Sequence, residues 1–451
     1  MPTNYIAEDE VSYRAVVISS DAQSFLLNPR SECGGLPQIA IPKWTRPAEQ
    51  IQAAFARDWE LEVVVLDFLI QSGRQAPCVV VQILTPFPSD RFEFASLDRF
   101  SEAVLTDSER KTVQSICKGD SGDRGPFSRA GWIAEAVQWI NEATNDQVQL
   151  SGTFRQRNAS GTFALIQFQR SPGKPLWFKA TGEPNRHEFD VTLALSTLAP
   201  THLPPLVAAR RDWNAWLMED AGEPLGHRAD ATVFTRAIVS MAELQKATIP
   251  HTALLVGAGA FHQSTAVVRE HVGEMIEYLR FAMKHQTSTK VAPLREDRLR
   301  EIETALVDAC TALEELNIPE TIVHGDLNRS NILLGEESIV FTDWCEGYVA
   351  NAFVAPQHLL ALYSETENSL NTDQNILAHA YKQRWLGLLT AEQIDRGFAL
   401  APLVAVASYL YGRGDWLRSP RRFEPSVQSY ARSLSRHMNR AAHSLYTLGV
   451  L

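Results

Sequence analysis

The sequence predicts an α+β protein built in three parts. Short apolar runs of strand length dominate residues 11–125 and return between residues 148 and 180, whereas residues 229–315 and 373–447 carry apolar stripes at helical spacing. Between the two helical stretches, residues 322–347 break the pattern with two short apolar runs around a polar loop rich in Asp and Asn. A length of 451 residues suits about three domains of ordinary size and is ample to bury several cores.

In the first part, residues 13–18 and 24–27 read as strands joined by Ser19-Ser20-Asp21-Ala22, a hairpin signal. Residues 47–59 read as a helix with Ile51, Ala54 and Phe55 on one face. Residues 61–69 and 78–84 are further apolar strands, and Thr106 with Glu109 form a capping box for a helix reaching about Cys117. The stretch 118–126 is dense in Gly and polar residues, which places a linker at 121–130 after a first domain of residues 1–120.

The second part, residues 131–220, opens with a helix whose Trp132, Ile133, Ala136, Val137 and Ile140 recur at helical spacing, so Trp132 and Trp139 are packing residues. Three strands follow at 148–155, 161–169 and 175–180, with a small flexible turn at 156–161 between the first two. Lys179 sits on the third strand, Glu188 on the next helix, and residues 213–222 read as a last strand ending in a Gly turn. The third part, 221–451, is mainly helical; its apolar run at 398–407 is too short to span a bilayer and reads as a buried helix. His262, His271 and His285 are spaced too irregularly for a metal cluster.

The chemistry resides in residues 322–347, which read IVHGDLNRSNILLGEESIVFTDWCEG. A strand leads into a polar loop, and a hairpin of residues 332–334 and 339–341 returns Asp343 to the end where Asn331 lies. Transfer of a phosphoryl group from a nucleoside triphosphate needs Mg²⁺ against phosphate charge and a carboxylate to orient the attacking hydroxyl and take its proton. Asn331 and Asp343 offer hard oxygen ligands for Mg²⁺, and Asp326 is the base.

His324-Gly325-Asp326-Leu327, Asn331 five residues after the Asp, and Asp343-Trp344 beyond the hairpin resemble the aminoglycoside phosphotransferase and choline kinase family. The resemblance covers residues 130–451 and implies a bilobal, protein-kinase-like phosphotransferase fold. It implies that His324 and Asn331 join Asp326 in the catalytic set, and that Lys179 meets the α and β phosphates with an acidic ion-pair partner, Glu188 or else Asp190 or Glu183. It further implies that Ser160 and Gly161 cover the triphosphate, and that Met218, Glu219 and Asp220 line the purine pocket. The family often places another Asp ahead of the next helix; residues 351–359 contain none, so the acceptor side departs from the pattern. Glu346 is a candidate to orient the metal loop or the acceptor; Arg413, Asp415 and Trp416 read as a helix-ending turn with a buried indole, the alternative being that Trp416 beside a carboxylate holds a cationic acceptor.

Residues 11–120, with the FLLNPR segment and the Leu36-Pro37 loop before a helix and another strand, resemble an N-terminal Nudix-like α/β domain. The paired carboxylates of that family's catalytic helix are replaced by isolated acids in residues 56–61, so the domain is expected to dock a ligand or protein, or to be purely structural, rather than to hydrolyse.

Composition bounds the partners. Lys plus Arg number 42 against 53 Asp plus Glu, a net charge of −11, which disfavours nucleic acid and anionic membranes as targets. Five scattered cysteines and a first stretch without an apolar signal core point to reduced thiols in the cytoplasm. The expected function is transfer of the γ-phosphoryl of ATP or GTP to a hydroxyl of a small molecule. The alternative is a catalytically silent nucleotide-binding regulator whose N-terminal domain binds a partner.

Overall fold

The β-branched run after residue 10 folds as strand β1 (Glu10–Ile18) and turns into β2 (Phe25–Leu26), with Ile18 paired to Phe25. Local side chains close the turn, since Asp21 accepts from Ser19 Oγ at 2.5 Å and from the Gln23 amide at 3.1 Å. β3 (Gln38–Pro42) lies antiparallel on β1, and α1 (Pro47–Trp59) starts on Pro where its missing N–H costs nothing. β4 (Val63–Leu69), β5 (Cys78–Ile83) and β6 (Phe94–Ala95) complete a sheet ordered β4-β5-β1-β2-β6, in which only the β1–β5 contact is parallel. The predicted capping box opens α2 (Asp107–Lys118), with both of its hydrogen bonds present. This computed structural model of the chain describes all residues except 1–9, 29–34, 44, 70–75, 85–91, 120–123, 145–153, 171, 227–228, 337, 366–370 and 413–418.

α3 (Trp132–Thr144) precedes an antiparallel sheet of β7 (Phe154–Ser160), β8 (Phe163–Phe168), β9 (Leu176–Thr181), β10 (Leu206–Arg210) and β11 (Ala215–Glu219), ordered β10-β11-β9-β8-β7. The chain divides into two compact units, 1–189 with 205–220 and 190–204 with 221–451. Two expectations change in the first unit. Residues 156–160, expected as a flexible turn, are the end of β7, and only Gly161 and Thr162 turn. The described part of the expected linker is packed, with Phe127 buried, and residues 10–118 share one core with the second sheet. Val16, Leu66 and Val80 belong to the same apolar cluster as Trp132, Phe178 and Leu217. Burial of that shared apolar surface joins what the Gly-rich stretch suggested was separate. Parts of the FLLNPR segment, of the first strand expected at 148–155, and the positions Arg413, Asp415 and Trp416 lie outside the described residues.

α4 (Glu188–Leu198) begins in the first unit and continues in the second. The second unit adds β12 (Glu223–Pro224), α5 (Ala231–Thr248), α6 (Thr252–Gly257), β13 (Phe261–His262), α7 (Thr265–Glu270), α8 (Val272–Lys284) and α9 (Glu296–Glu315). Within the expected helical stretch 229–315, α7 and α8 are two helices separated at His271. β14 (Glu320–Val323), β15 (Ile332–Leu334), β16 (Ile339–Phe341) and β17 (Tyr348–Asn351) form two small sheets, β12-β15-β16 and β13-β17-β14. α10 (Val354–Ser364), α11 (Asn371–Gln383), α12 (Ala391–Tyr411) and α13 (Pro425–Thr447) close the chain. Buried Gln245 of α5 ties these parts together. Its Nε2 donates to Thr321 Oγ1 at 2.9 Å and to the Ala352 carbonyl at 2.8 Å, and its Oε1 accepts from Tyr381 at 2.7 Å. The support under β14 and β17 is thus rigid. Among the described residues no helix is long and apolar enough to cross a membrane.

Candidate active site

The loop after β14 is shaped by one glycine and one histidine. A Cβ on Gly325 would lie 2.2 Å from the Glu346 carbonyl oxygen, so only glycine lets the two loop backbones approach this closely. His324 is buried; its Nε2 donates to the Thr342 carbonyl at 2.9 Å, and its ring leans on Trp344 at 4.5 Å between centroids. The histidine expected in the catalytic set thus ties the loop carrying Asp326 to the strand end carrying Asp343.

Asp326 is held by asparagines. Its Oδ2 accepts from Asn328 Nδ2 at 3.0 Å and Asn331 Nδ2 at 3.3 Å, and Asn331 Nδ2 also reaches the Asp326 carbonyl at 2.8 Å. Oδ1 has no hydrogen bond among the described residues. Asn331 continues the β15–β16 register, accepting from the Thr342 amide at 3.0 Å, so the hairpin sets Asn331 beside the residue preceding Asp343 as its spacing predicted. Asp343 adopts a left-handed backbone, φ 69°, which Asp tolerates better than most residues. Nδ2 of Asn331 is committed to Asp326, and its Oδ1 accepts from Ser330 Oγ at 3.4 Å; this oxygen and the Asp343 carboxylate are hard donors of the kind Mg²⁺ takes. Among the described residues no cluster of three His, Cys, Asp or Glu side chains could hold a metal.

Two tyrosines that the sequence did not single out feel the charge of Asp326 and Glu346. Burial and the charges of Glu346 and Asp326 push the Tyr430 hydroxyl above its usual range, and Tyr409 is shifted the same way with burial the larger cause. No local signal could have found them, because α12 and α13 lie far along the chain from Asp326. Tyr409 stacks on His358 at 4.1 Å.

The first unit carries the expected cation. Lys179 on β9 and Glu188 at the start of α4 are both buried and form an ion pair of 2.5 Å. The Nζ lies over the rings of Phe163 and Trp216 at 5.5 and 5.6 Å, so the amine is fixed from three sides. The other expected nucleotide contacts have structural partners. Met218 is buried in β11; the Glu219 amide donates to the Pro205 carbonyl and the Asp220 amide to that of Pro175, each at 2.9 Å. Their side chains meet Arg170 and Trp177, at 2.9 and 2.8 Å. Ser160 Oγ accepts from the Thr162 amide, and the Gly161 amide donates to Asp67. A cleft of about 460 Å³ elsewhere in this unit is lined by Gln52, Glu62, Phe154 and Arg155 and holds none of the expected site residues.

No family model and no curated protein matches the sequence. Solved structures do match. A choline kinase from Cryptosporidium parvum Iowa II is similar over 70% of this chain and 98% of that one, at 13% identity and a TM-score of 0.49. A macrolide 2'-phosphotransferase from Brachybacterium faecium matches over 66% and 97%, at 16% identity and a TM-score of 0.44. A spectinomycin phosphotransferase, solved with ADP and spectinomycin, matches over 70% and 98%, at 11% identity and a TM-score of 0.40. These neighbours are small-molecule phosphotransferases.

Proposed function

We propose that this protein is a small-molecule kinase, moving the γ-phosphoryl group of ATP or GTP to a hydroxyl with Asp326 as general base. One observation carries the reading: Asn331 grips both the carbonyl and the carboxylate of Asp326 while its backbone pairs beside Asp343. A carboxylate anchored through Oδ2 presents Oδ1 in one orientation. Oδ1 takes the proton of the acceptor hydroxyl as that oxygen bonds to the γ-phosphorus, and the bond to the β-phosphate oxygen breaks to leave the nucleoside diphosphate. Lys179, fixed by Glu188, meets the α and β phosphates as a point charge. Mg²⁺, held by Asn331 and Asp343, would supply neutralisation of phosphate charge. His324 keeps the two loops in register. In this reading Ser160 and Gly161 cover the triphosphate and Met218 to Asp220 flank the purine. The acceptor is a small molecule, not nucleic acid or membrane, and Glu346 is a candidate to orient it. The N-terminal sheet, whose Nudix likeness rests on sequence, takes no part in the chemistry, and the cytoplasm is the expected location.

A second reading, a silent nucleotide-binding regulator, is favoured by the engagement of the Gly161 amide with Asp67. Thermal shifts with ATP, GTP and Mg²⁺, followed by a phosphate-transfer screen over amino alcohols, sugars, nucleosides and antibiotics, separate the two. Transfer to any acceptor supports the kinase; nucleotide-induced stabilisation with no transfer across the screen supports the regulator, and neither response sinks both.

A further inference from the structure

The β7–β8 turn is occupied by an anion belonging to the protein itself. The Gly161 N–H donates to Asp67 Oδ1 at 2.7 Å in a buried contact, and Asp67 Oδ2 pairs with Arg124 at 2.8 Å. The Gly161 carbonyl accepts from the Gly125 amide at 3.0 Å, and the next amide, that of Thr162, donates to Ser160 Oγ at 3.2 Å. Asp67 reaches the turn because β4 is bulged. Val65 and Asp67 face consecutive partners, Val81 and Val80, which leaves Leu66 as an extra residue and re-aims the strand. A Cβ at position 161 would stand 3.1 Å from both Asp67 Oδ2 and Arg124 Nε, so the glycine admits the carboxylate. Burial pushes the Asp67 carboxyl up, and Arg124 with the amides of Phe68 and Gly161 pulls it back.

We infer that Asp67 competes with the phosphates of the nucleotide for this turn, so that residues 10–118 set nucleotide affinity from within the chain. The inference rests on the reading above in which Ser160 and Gly161 cover the triphosphate. A backbone N–H is a single donor, and a charged oxygen at 2.7 Å fills it. A phosphate oxygen needs that donor and is repelled by the carboxylate while it stays in place. The module therefore acts as a latch, and any event that withdraws β4 or Arg124 exposes the turn.

Binding of a non-hydrolysable ATP analogue with Mg²⁺ to the full-length protein tests the latch in the wild type and in the Asp67→Asn and Asp67→Ala variants. The latch predicts binding about tenfold tighter in Asp67→Ala, since a charged hydrogen bond no longer has to be displaced, with Asp67→Asn in between. Equal or weaker binding in folded variants overturns the latch alone. Absence of binding in all three proteins overturns the phosphotransferase reading and the latch with it. Should neither variant fold, the wild type still decides. Its Asp67 carboxyl ¹³C resonance must move at nucleotide saturation, as the carboxylate gives up the amide, and an unmoved resonance sinks the proposal.

Discussion

Gln156 places both ends of its carboxamide on the backbone of one residue, Val65: Oε1 accepts the Val65 N–H and Nε2 donates to the Val65 carbonyl, each at 2.7 Å. Both residues border a bulge, Val65 on β4 and Gln156 on β7, where the ladders leave backbone groups without a strand partner. The amide side chain stands in for a peptide group, and Gln52 completes the bridge by accepting the Gln156 amide at 2.8 Å. Replacing Gln156 by Leu strands a buried N–H and a buried C=O, which should lower stability by roughly 2–4 kcal/mol in urea unfolding. A loss below about 0.5 kcal/mol would mean that water replaces the bridge without cost.

Lys179→Met should weaken nucleotide binding and, separately, destabilise the fold by roughly 3–5 kcal/mol, because Glu188 is left buried without its counter-charge. Adding Glu188→Leu should recover most of the stability and none of the nucleotide affinity. Recovery of both would show the pair to be structural only.

Asp326→Asn should reduce turnover by ~10²–10⁴ with nucleotide affinity nearly unchanged, measured by initial rates and by titration of the nucleotide. Asp343→Ala should do the reverse, weakening Mg²⁺-dependent nucleotide binding first. Affinity that survives in Asp343→Ala would remove Asp343 from the metal site.

Gly325→Ala forces a Cβ against the Glu346 carbonyl, a backbone atom that cannot swing aside. The expected result is a loss of roughly 1–3 kcal/mol in thermal unfolding together with a large fall in turnover, because the carboxylate of Asp326 moves with the loop. Wild-type turnover in this variant would mean that the close approach has no bearing on the base.

Stability should depend on pH through His358. Burial pushes its imidazole down to about 4 from an ordinary 6.5, with the backbone of Ala405 and of His324 acting against that fall. The unfolded chain therefore binds the proton more readily between those values, and stability present above about 6.5 is lost as the pH falls toward about 4. The loss is on the order of 3 kcal/mol at full extent. His358→Phe should flatten that slope in unfolding curves between pH 7 and pH 4; an unaltered slope assigns the effect to other groups.

Where local chemistry decides, the sequence was readable. The Thr106–Glu109 capping box, the helix at 47–59 and the 332–341 hairpin form as their residues require, because caps, turns and strand alternation act over a few positions. The Lys179–Glu188 ion pair is present as the family resemblance implied, with Glu188 rather than Asp190 or Glu183 as the partner. The turn expected at 156–160 is strand instead, because Gln156 and Arg157 find partners on residues about a hundred positions earlier, and Phe127 is buried where a linker was expected. Tyr409 and Tyr430 approach Asp326 and Glu346 from helices that no local pattern links to the loop.

By itself the sequence determined local elements such as the 47–59 helix and the 332–341 hairpin, and it put forward the carboxylates of Asp326 and Asp343, the amide of Asn331 and, through the family resemblance, the amine of Lys179 as candidates for the chemistry. Tertiary structure alone decided that the Gly161 amide meets Asp67, that His324 meets the Thr342 carbonyl, and that the first hundred residues share a core with the sheet that follows them. The physical reason is range. Hydrogen-bond caps and strand periods are written into neighbouring residues, whereas burial of apolar surface and the pairing of buried polar groups are settled among residues that only the folded chain brings together.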